Sequence, residues 1–392
     1  MKRRQFLQVT GASALVATTG WPKLALAAPE TDSRFVVIIL RGGMDGLSVV
    51  PAYGDPSYER ARNGIAIPPP GGAEGALKLD GTFGLNPRLT HLADLFADGS
   101  LMPIQACCVP YHGRSHFDAQ NVLENGSAIP YGLKTGWLNR ALATMPARNG
   151  DLAIAIDQTM PVILTGATKV TSWYPSQLPQ PDGDTIDRIE SLYQGDAKLA
   201  EALAAARRVH GDTSTGGGSG FPALMAAAGR FLAPANGPAV AMLESTGWDT
   251  HANQAPAYGA LQRNLGELDA GIAALRDALG ATWSRTAVLV MTEFGRTVAM
   301  NGTRGTDHGT GGAAFLVGGA VAGGRVLADW PGLGPNDLLE GRDLRPTTDL
   351  RAVMKAALVD HLRLAEGVVE DQVFPDSRGV KPIGGLFRHA TA

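Results

Sequence analysis

Residues 34–45 have the sequence RFVVIILRGGMD, in which a continuous run of β-branched and apolar residues ends at two glycines and an aspartate. A run of this composition is typical of a strand that is buried on both faces of a parallel sheet. In such sheets the ligand binds beyond the carboxyl ends of the strands. The stretch therefore predicts a buried strand that presents Asp45 at its functional end.

The rest of the chain alternates short apolar runs with segments of helical periodicity. Further strands are predicted at 101–108, 152–156, 239–243, 286–291, 313–317 and 325–327, and helices at 87–96, 117–123, 258–279 and 350–362. Strands that alternate with helices indicate a mainly parallel central sheet with helices on both faces. The predicted fold class is therefore α/β.

The first 27 residues are predicted to be an export signal and not part of the fold. Arg3 and Arg4 precede Phe-Leu and a mildly apolar run, and residues 25–27 (Ala-Leu-Ala) match an A-x-A cleavage site. This pattern predicts export by the twin-arginine pathway. Residues 28–392 are then expected to be a single periplasmic or secreted domain with a Gly-rich surface loop at 211–220. No later segment is apolar enough to predict a permanent membrane span.

The composition argues against some classes of protein. The net charge is only −3 and lysine and arginine form no stripe, so no nucleic acid partner is expected. The apolar fraction of 44% excludes a disordered chain. The two cysteines, Cys107 and Cys108, are adjacent. We interpret them as small buried residues at a strand end, and the alternative is a strained vicinal disulfide.

Residues suited to nucleophilic chemistry follow the second predicted strand. Arg114, Ser115 and His116 stand where a helix is predicted to begin. Ser115 is either the N-cap of that helix or a nucleophile whose hydroxyl pKa is lowered by the helix dipole and a nearby cation.

Two histidine–carboxylate pairs lie in glycine-bounded loops next to later strands. They are Asp249-x-His251 and Asp307-His308, and between them Glu293 and Arg296 share one tight turn. Carboxylates and imidazoles collected in one cleft can hold one or two metal ions, which activate a nucleophile and stabilise a transferred oxyanion. The pattern thus predicts metal-assisted hydrolysis. Four histidines that lie on predicted helices or in tails are interpreted as structural: His91, His210, His361 and His389.

The order of the motifs carries a family resemblance. With the twin-arginine start, LRGGMDGLS, RSHFDAQ, GWDTH, TEFGRT and DHGTGG resemble the domain-of-unknown-function family 1501. That family is placed with the alkaline phosphatase and sulfatase superfamily, so the resemblance implies an alkaline phosphatase-like fold. It also implies a role for each matching residue: Ser115 as nucleophile, Asp249, His251 and His308 at one metal, Glu293 with Asp45 at a second, and Arg296 or Arg114 as an oxyanion clamp.

The sequence departs from the family pattern at one important position. Phe294 stands where many members have a histidine directly after the carboxylate. The resemblance therefore leaves one ion or two open, with His116, Asp118 or Asp307 as alternative ligands. Cys108 is a weaker alternative nucleophile, because its Cys-x-Pro lacks the arginine of the sulfatase Cys-x-Pro-x-Arg motif.

These inferences predict a periplasmic, metal-dependent hydrolase that acts on a small-molecule or polymeric phosphate or sulfate ester. Zinc is the expected ion, with manganese or calcium as alternatives. The second hypothesis is a catalytically silent protein that binds metal or a partner in a periplasmic or cell-surface assembly. The resemblance implies that such a partner is another exported protein encoded nearby.

Overall fold

The computed structural model describes residues 32–146, 151–175, 183–200, 203, 220–254 and 259–388. The predicted signal peptide lies outside the described residues, and so do His210, His389 and all of the predicted Gly-rich loop except Gly220. Within the described part of the chain, no helix combines the length and the apolar character that a membrane span requires.

An eight-stranded sheet in the order β10-β4-β9-β8-β1-β7-β5-β6 forms the centre of the fold. Every neighbouring pair is parallel except the two that involve β9, so β9 alone runs against the others. A separate antiparallel pair, β2 and β3, lies outside this sheet. The strands are β1 Arg34–Leu40, β2 Leu77–Lys78, β3 Gly84–Leu85, β4 Leu101–Cys108, β5 Ala153–Ala155, β6 Thr171–Ser172, β7 Val240–Ser245, β8 Thr286–Met291, β9 Gly312–Val317 and β10 Thr348–Asp349.

Helices cover both faces of the sheet, because successive side chains of a strand point to opposite faces. On β1, Val36, Ile38 and Leu40 pack in one apolar cluster, and Phe35, Val37 and Ile39 pack in the other. The helices are α1 Gly46–Val49, α2 Tyr58–Arg62, α3 Thr90–Ala97, α4 His116–Asn125, α5 Trp137–Leu142, α6 Gly183–Tyr193, α7 Phe221–Leu232, α8 Ala260–Leu279, α9 Leu350–Ala356 and α10 Glu366–Val368. Helices α3, α7 and α8 pack in the first cluster, and α4, α5 and α9 pack in the second.

The structure confirms the α/β class and the mainly parallel sheet with helices on both faces. One predicted strand is wrong: residues 325–327 form only an isolated bridge, between Leu327 and Ile104. The predicted helix at 350–362 divides into α9 and a π-helical turn, Ala357–His361. The sequence missed β2, β3, β6 and β10, because strands of two residues are too short to show a period.

Candidate metal centre

The site residues meet at one edge of the sheet, where the carboxyl ends of β1, β4, β7 and β8 lie. Because β9 is antiparallel to β8, its amino end lies at the same edge. The loop that precedes β9 therefore returns His308 beside Arg296, and these two residues form an isolated antiparallel bridge. The loops that follow β4 and β7 and the loop that precedes β9 contribute polar side chains to a common centre.

Three imidazoles and one carboxylate converge there. The Nε2 atom of His308 lies 3.0 Å from the Nε2 of His116 and 3.0 Å from the Nε2 of His251. Asp249 Oδ1 lies 3.0 Å from His251 Nε2 and 3.3 Å from His308 Nε2, and its Oδ2 lies 3.4 Å from His116 Nε2. Ligand atoms of His116, Asp249 and His308 all fall within 4.8 Å of one another. Nitrogen and carboxylate donors in a group of four are the set that zinc prefers.

The opposite nitrogen of each imidazole contacts a group that can only accept a hydrogen bond. His116 Nδ1 lies 2.8 Å from Glu293 Oε1, His251 Nδ1 lies 3.2 Å from Asp307 Oδ1, and His308 Nδ1 lies 2.9 Å from the carbonyl oxygen of Arg114. Each Nδ1 therefore donates, which leaves each Nε2 lone pair directed at the centre. Partners of this kind orient the histidine ligands of metal sites and increase their basicity. The residues present thus fit a divalent ion.

Charges around the centre favour an ionised Asp249. Burial by itself raises the pKa of Asp249, but the hydrogen bond and charge of Arg296 outweigh it and lower the pKa. Glu293 raises the pKa of His116 through its hydrogen bond, whereas burial lowers the pKa of His308. A metal ion binds carboxylates and neutral imidazoles, so metal binding at this centre would release the proton that Glu293 favours on His116.

The family follows from a direct match of the sequence. Residues 105–374 match the family model described as "Protein of unknown function (DUF1501)". The chain belongs to the DUF1501 family. None of the curated proteins matches the sequence.

Several solved structures resemble this DUF1501 member distantly. The zinc complex of the C-terminal periplasmic domain of EcEptC from Escherichia coli has 11% identity and a TM-score of 0.37, and the match covers 74% of this chain and 76% of that one. A putative sulfatase from Bacteroides thetaiotaomicron has 10% identity and a TM-score of 0.40, with 86% and 72% covered. The phosphonate monoester hydrolase of Agrobacterium radiobacter has 11% identity and a TM-score of 0.33, with 75% and 70% covered.

In this DUF1501 member, Glu293 contacts His116 on the side of the ring opposite the centre. It therefore does not join the group of four that His116, Asp249, His251 and His308 form. It is fully buried, and its Oε1 accepts from the backbone N–H of Gly42 at 2.8 Å and from Gln120 Nε2 at 2.9 Å, in addition to His116. Burial raises the pKa of Glu293, but these hydrogen bonds outweigh it and lower the pKa. Glu293 is therefore placed to orient His116.

Asp45 is not brought to the group of four either. Its carboxylate is buried and forms an ion pair with Arg62, at 2.5 Å from Nη2. It also caps α1 by accepting from the backbone N–H groups of Leu47 and Ser48. The sequence could not predict this pairing, since Arg62 has no special motif around it.

Both candidate arginine clamps are already paired with carboxylates. Arg296 is buried and lies 2.5 Å from Asp249 Oδ1. Arg114 donates from Nε to Asp343 at 2.9 Å and from Nη2 to Glu340 at 2.6 Å. The structure therefore places Arg296 as a support for a ligand and Arg114 at the rim of the centre.

Ser115 occupies the N-cap position of α4, but its side chain makes no capping hydrogen bond. It lies against the hydroxyl of Tyr111, which donates to Asp118 Oδ2 at 3.0 Å. Asp118 is thus engaged with Tyr111, and Asp307 with His251. His116, which sequence reasoning gave only as an alternative ligand, is part of the group. The sequence feature that pointed to His116 was its position next to Ser115 at the predicted start of a helix.

Phe294 packs against two imidazoles of the centre. It is buried, and its ring centroid lies 4.8 Å from that of His116 and 5.0 Å from that of His308. Phe294 thus places an apolar wall against two of the imidazoles. Such a wall excludes water and adds no donor atom.

The remaining sequence interpretations concern residues away from the centre. Cys107 and Cys108 are buried free thiols at the end of β4, and burial raises the pKa of both, that of Cys108 to about 12. A thiol of such high pKa is a poor nucleophile. His91 contacts Asp269, and the buried His361 contacts the carbonyl oxygen of Arg34, as expected of structural histidines.

Proposed function

We propose that this DUF1501 member is an exported, metal-dependent hydrolase of phosphate or sulfate esters. A zinc ion would be held by His116, Asp249, His251 and His308. The observation that carries the proposal is the close approach of the Nε2 atoms of His116 and His251 to that of His308, at 3.0 Å each, with the carboxylate of Asp249 within 3.4 Å of all three and the Nδ1 of each imidazole beside an acceptor.

When bound, the ion would polarise an ester oxygen and stabilise the charge that develops on it. The Ser115 Oγ would form a bond to the phosphorus or sulfur atom as the ester P–O or S–O bond breaks, and the alcohol oxygen would leave and take up a proton from water. The Ser115 proton would pass to the hydroxyl oxygen of Tyr111 while Tyr111 transfers its own proton to Asp118 Oδ2, so that the carboxylate of Asp118 is the final acceptor. The wall formed by Phe294 keeps water from the inner side of the two imidazoles, which strengthens electrostatic interactions there.

The first experiment counts metal ions in the purified protein by elemental analysis. About one zinc-like ion per chain is expected, with loss of the ion in His308→Ala. The matched control is His91→Gln, since His91 is bonded to Asp269 and does not reach the centre. Absence of any ion from wild-type protein prepared without chelator would refute the metal site.

A second experiment separates metal binding from turnover. Ser115→Ala is expected to keep the ion and to lose hydrolysis in a screen of phosphate and sulfate esters with zinc, manganese and calcium. Full activity in this variant would exclude Ser115 as the nucleophile.

A catalytically silent protein that binds metal or a partner is the second candidate function. The favouring observation is that Arg114 and Arg296 are both paired with carboxylates, so neither offers an unengaged guanidinium to a substrate oxyanion. One bound ion without turnover of any ester, together with co-purification of another exported protein, would support this candidate.

The proposed cellular location is the periplasm or the exterior, reached through a twin-arginine signal at residues 1–27, with residues 28–392 as one domain. The basis is the Arg3-Arg4 pair and the cleavage motif at residues 25–27. Substituting both arginines by lysine should retain the unprocessed protein in the cytoplasm. Normal export of the double variant would contradict this part of the proposal.

A further inference from the structure

A buried amide connects the two loops that bear the ligands. Gln254 is 2% exposed, and its Oε1 accepts from Thr250 Oγ1 at 2.9 Å and from Thr306 Oγ1 at 2.7 Å. Thr250 lies between Asp249 and His251, and Thr306 lies two residues before His308. One side-chain oxygen thus joins the segments that supply three of the four ligand side chains.

The same network reaches a ligand directly. The hydroxyl of Thr306 accepts from Arg296 Nε at 3.2 Å, and Arg296 Nη1 lies 2.5 Å from Asp249 Oδ1. The guanidinium of Arg296 is therefore oriented by Thr306 through Nε, and it contacts Asp249 through Nη1. Because Thr306 and Arg296 are both buried, the hydrogen bond between them is stronger than it would be in water.

At its other end, the amide of Gln254 contacts the buried ion pair. Gln254 Nε2 donates to Asp45 Oδ2 and to Ser48 Oγ. Arg62 is fully buried, and its Nη1 donates to the carbonyl oxygen of Val298 at 2.9 Å while its Nη2 contacts Asp45. Gln254 thereby connects the ion pair near α1 and α2 to the ligand loops.

Asp45 has no acceptor capacity left for a metal ion. Its two oxygens accept from five donors, and a carboxylate offers about four lone-pair sites. The donors are Leu47 N, Ser48 N, Ser48 Oγ, Arg62 Nη2 and Gln254 Nε2. A second ion at Asp45 does not fit these residues, since the guanidinium of Arg62 already supplies the positive charge there.

We propose that Gln254 is a positioning residue that couples the Asp45–Arg62 pair to the ligand set through Thr306 and Arg296. Because the carboxylate of Asp45 is saturated with donors, the centre holds one ion per chain. Arg62 supplies a permanent positive charge at the position where the family resemblance implies a second ion. This inference rests on the metal site of the proposed function, and it does not require that the site hydrolyse esters.

The test measures zinc affinity by competition with a chromophoric chelator in variants of the network. Thr306→Val removes the hydroxyl that joins Arg296 to Gln254, whereas Thr306→Ser keeps it. We expect zinc to bind about tenfold more weakly to Thr306→Val and close to normally to Thr306→Ser, because groups outside the ligand shell typically change metal affinity about 10- to 100-fold. Gln254→Met, which removes the amide at similar length, should behave like Thr306→Val.

The matched control is Thr286→Val, which removes a buried hydroxyl at the opposite end of β8, where Thr286 donates to the carbonyl oxygen of Thr282. Thermal unfolding of the metal-free proteins shows whether the variants are folded. Equal zinc affinity in wild type, Thr306→Val and Gln254→Met would overturn the positioning role.

Asp45→Asn tests the number of ions. The inference expects one ion per chain in wild type and in this variant, whereas a fall from two ions to one would overturn it. Wild-type protein that binds no zinc would overturn both the inference and the proposed function. Zinc binding that depends on Thr306 without any ester hydrolysis would overturn the proposed hydrolase alone.

Discussion

Replacing Glu293 by glutamine tests the assignment of this carboxylate as a support for His116. Glutamine has the same shape, so its Oε1 can still accept from Gly42 and from His116 Nδ1, but the negative charge is lost. Glu293 is fully buried and its Oε1 lies 2.8 Å from His116 Nδ1, so solvent screens the interaction very little. Loss of such a partner weakens metal binding about 10- to 100-fold, which corresponds to about 1.4–2.8 kcal/mol.

The assay is a competitive zinc titration, combined with elemental analysis of the saturated protein. The expected result is weaker binding with an unchanged count of about one ion per chain. Glu124→Gln is the matched control, because Glu124 is also a buried carboxylate. It lies on α4, where it contacts Arg41 and the backbone of Ile163. Loss of a whole ion in Glu293→Gln would show that Glu293 is itself a ligand. Unchanged affinity would refute the charge argument.

Three further substitutions test the surroundings of the centre and the core. Phe294→Ala should lower the free energy of unfolding by about 3–5 kcal/mol in chemical denaturation, since the ring is buried. Phe117→Ala is the control, because this side chain is 82% exposed, and it should lower the free energy of unfolding by about 0.5 kcal/mol or less. Gly42→Ala should lower the free energy of unfolding by at least about 2 kcal/mol. The reason is that Gly42 has φ +124° and that a Cβ atom there would lie 2.4 Å from the backbone nitrogen of Asp249. An unchanged free energy of unfolding would contradict the close approach of these loops. Burial lowers the pKa of His361 from 6.5 to about 4, so the unfolded state binds a proton first as the pH falls, and about 3 kcal/mol of stability should be lost between these two values. His361→Gln should abolish that part of the pH dependence in unfolding titrations, and an identical pH profile would refute it.

Much of the fold could be predicted because its signals are local. The runs at 35–40 and 287–291 are apolar without interruption, and with one polar residue before each they form the strands Arg34–Leu40 and Thr286–Met291. Position directly after one predicted strand identified the loop with Asp249 and His251, and position directly before another identified the loop with His308. These features depend only on neighbouring residues, so a single sequence is enough to show them.

The direction of β9 could not be predicted in the same way. A buried strand has the same composition in either direction, and only the pairing with β4 and β8 shows that β9 is antiparallel. In a wholly parallel sheet His308, which precedes β9, would lie at the edge far from Asp249. The reversal is what brings the two residues together.

The roles within the centre also depend on tertiary contacts. His116 and His308 are 192 residues apart in sequence, and their Nε2 atoms lie 3.0 Å apart in the structure. Sequence spacing offered Asp45 and Glu293 as ligands equally well, but Arg62 neutralises the first and His116 stands in front of the second. The sequence determined by itself which residue types lie at this edge of the sheet. Only the tertiary structure decided which of their atoms converge, because that depends on the side-chain partners that packing brings to each carboxylate and imidazole.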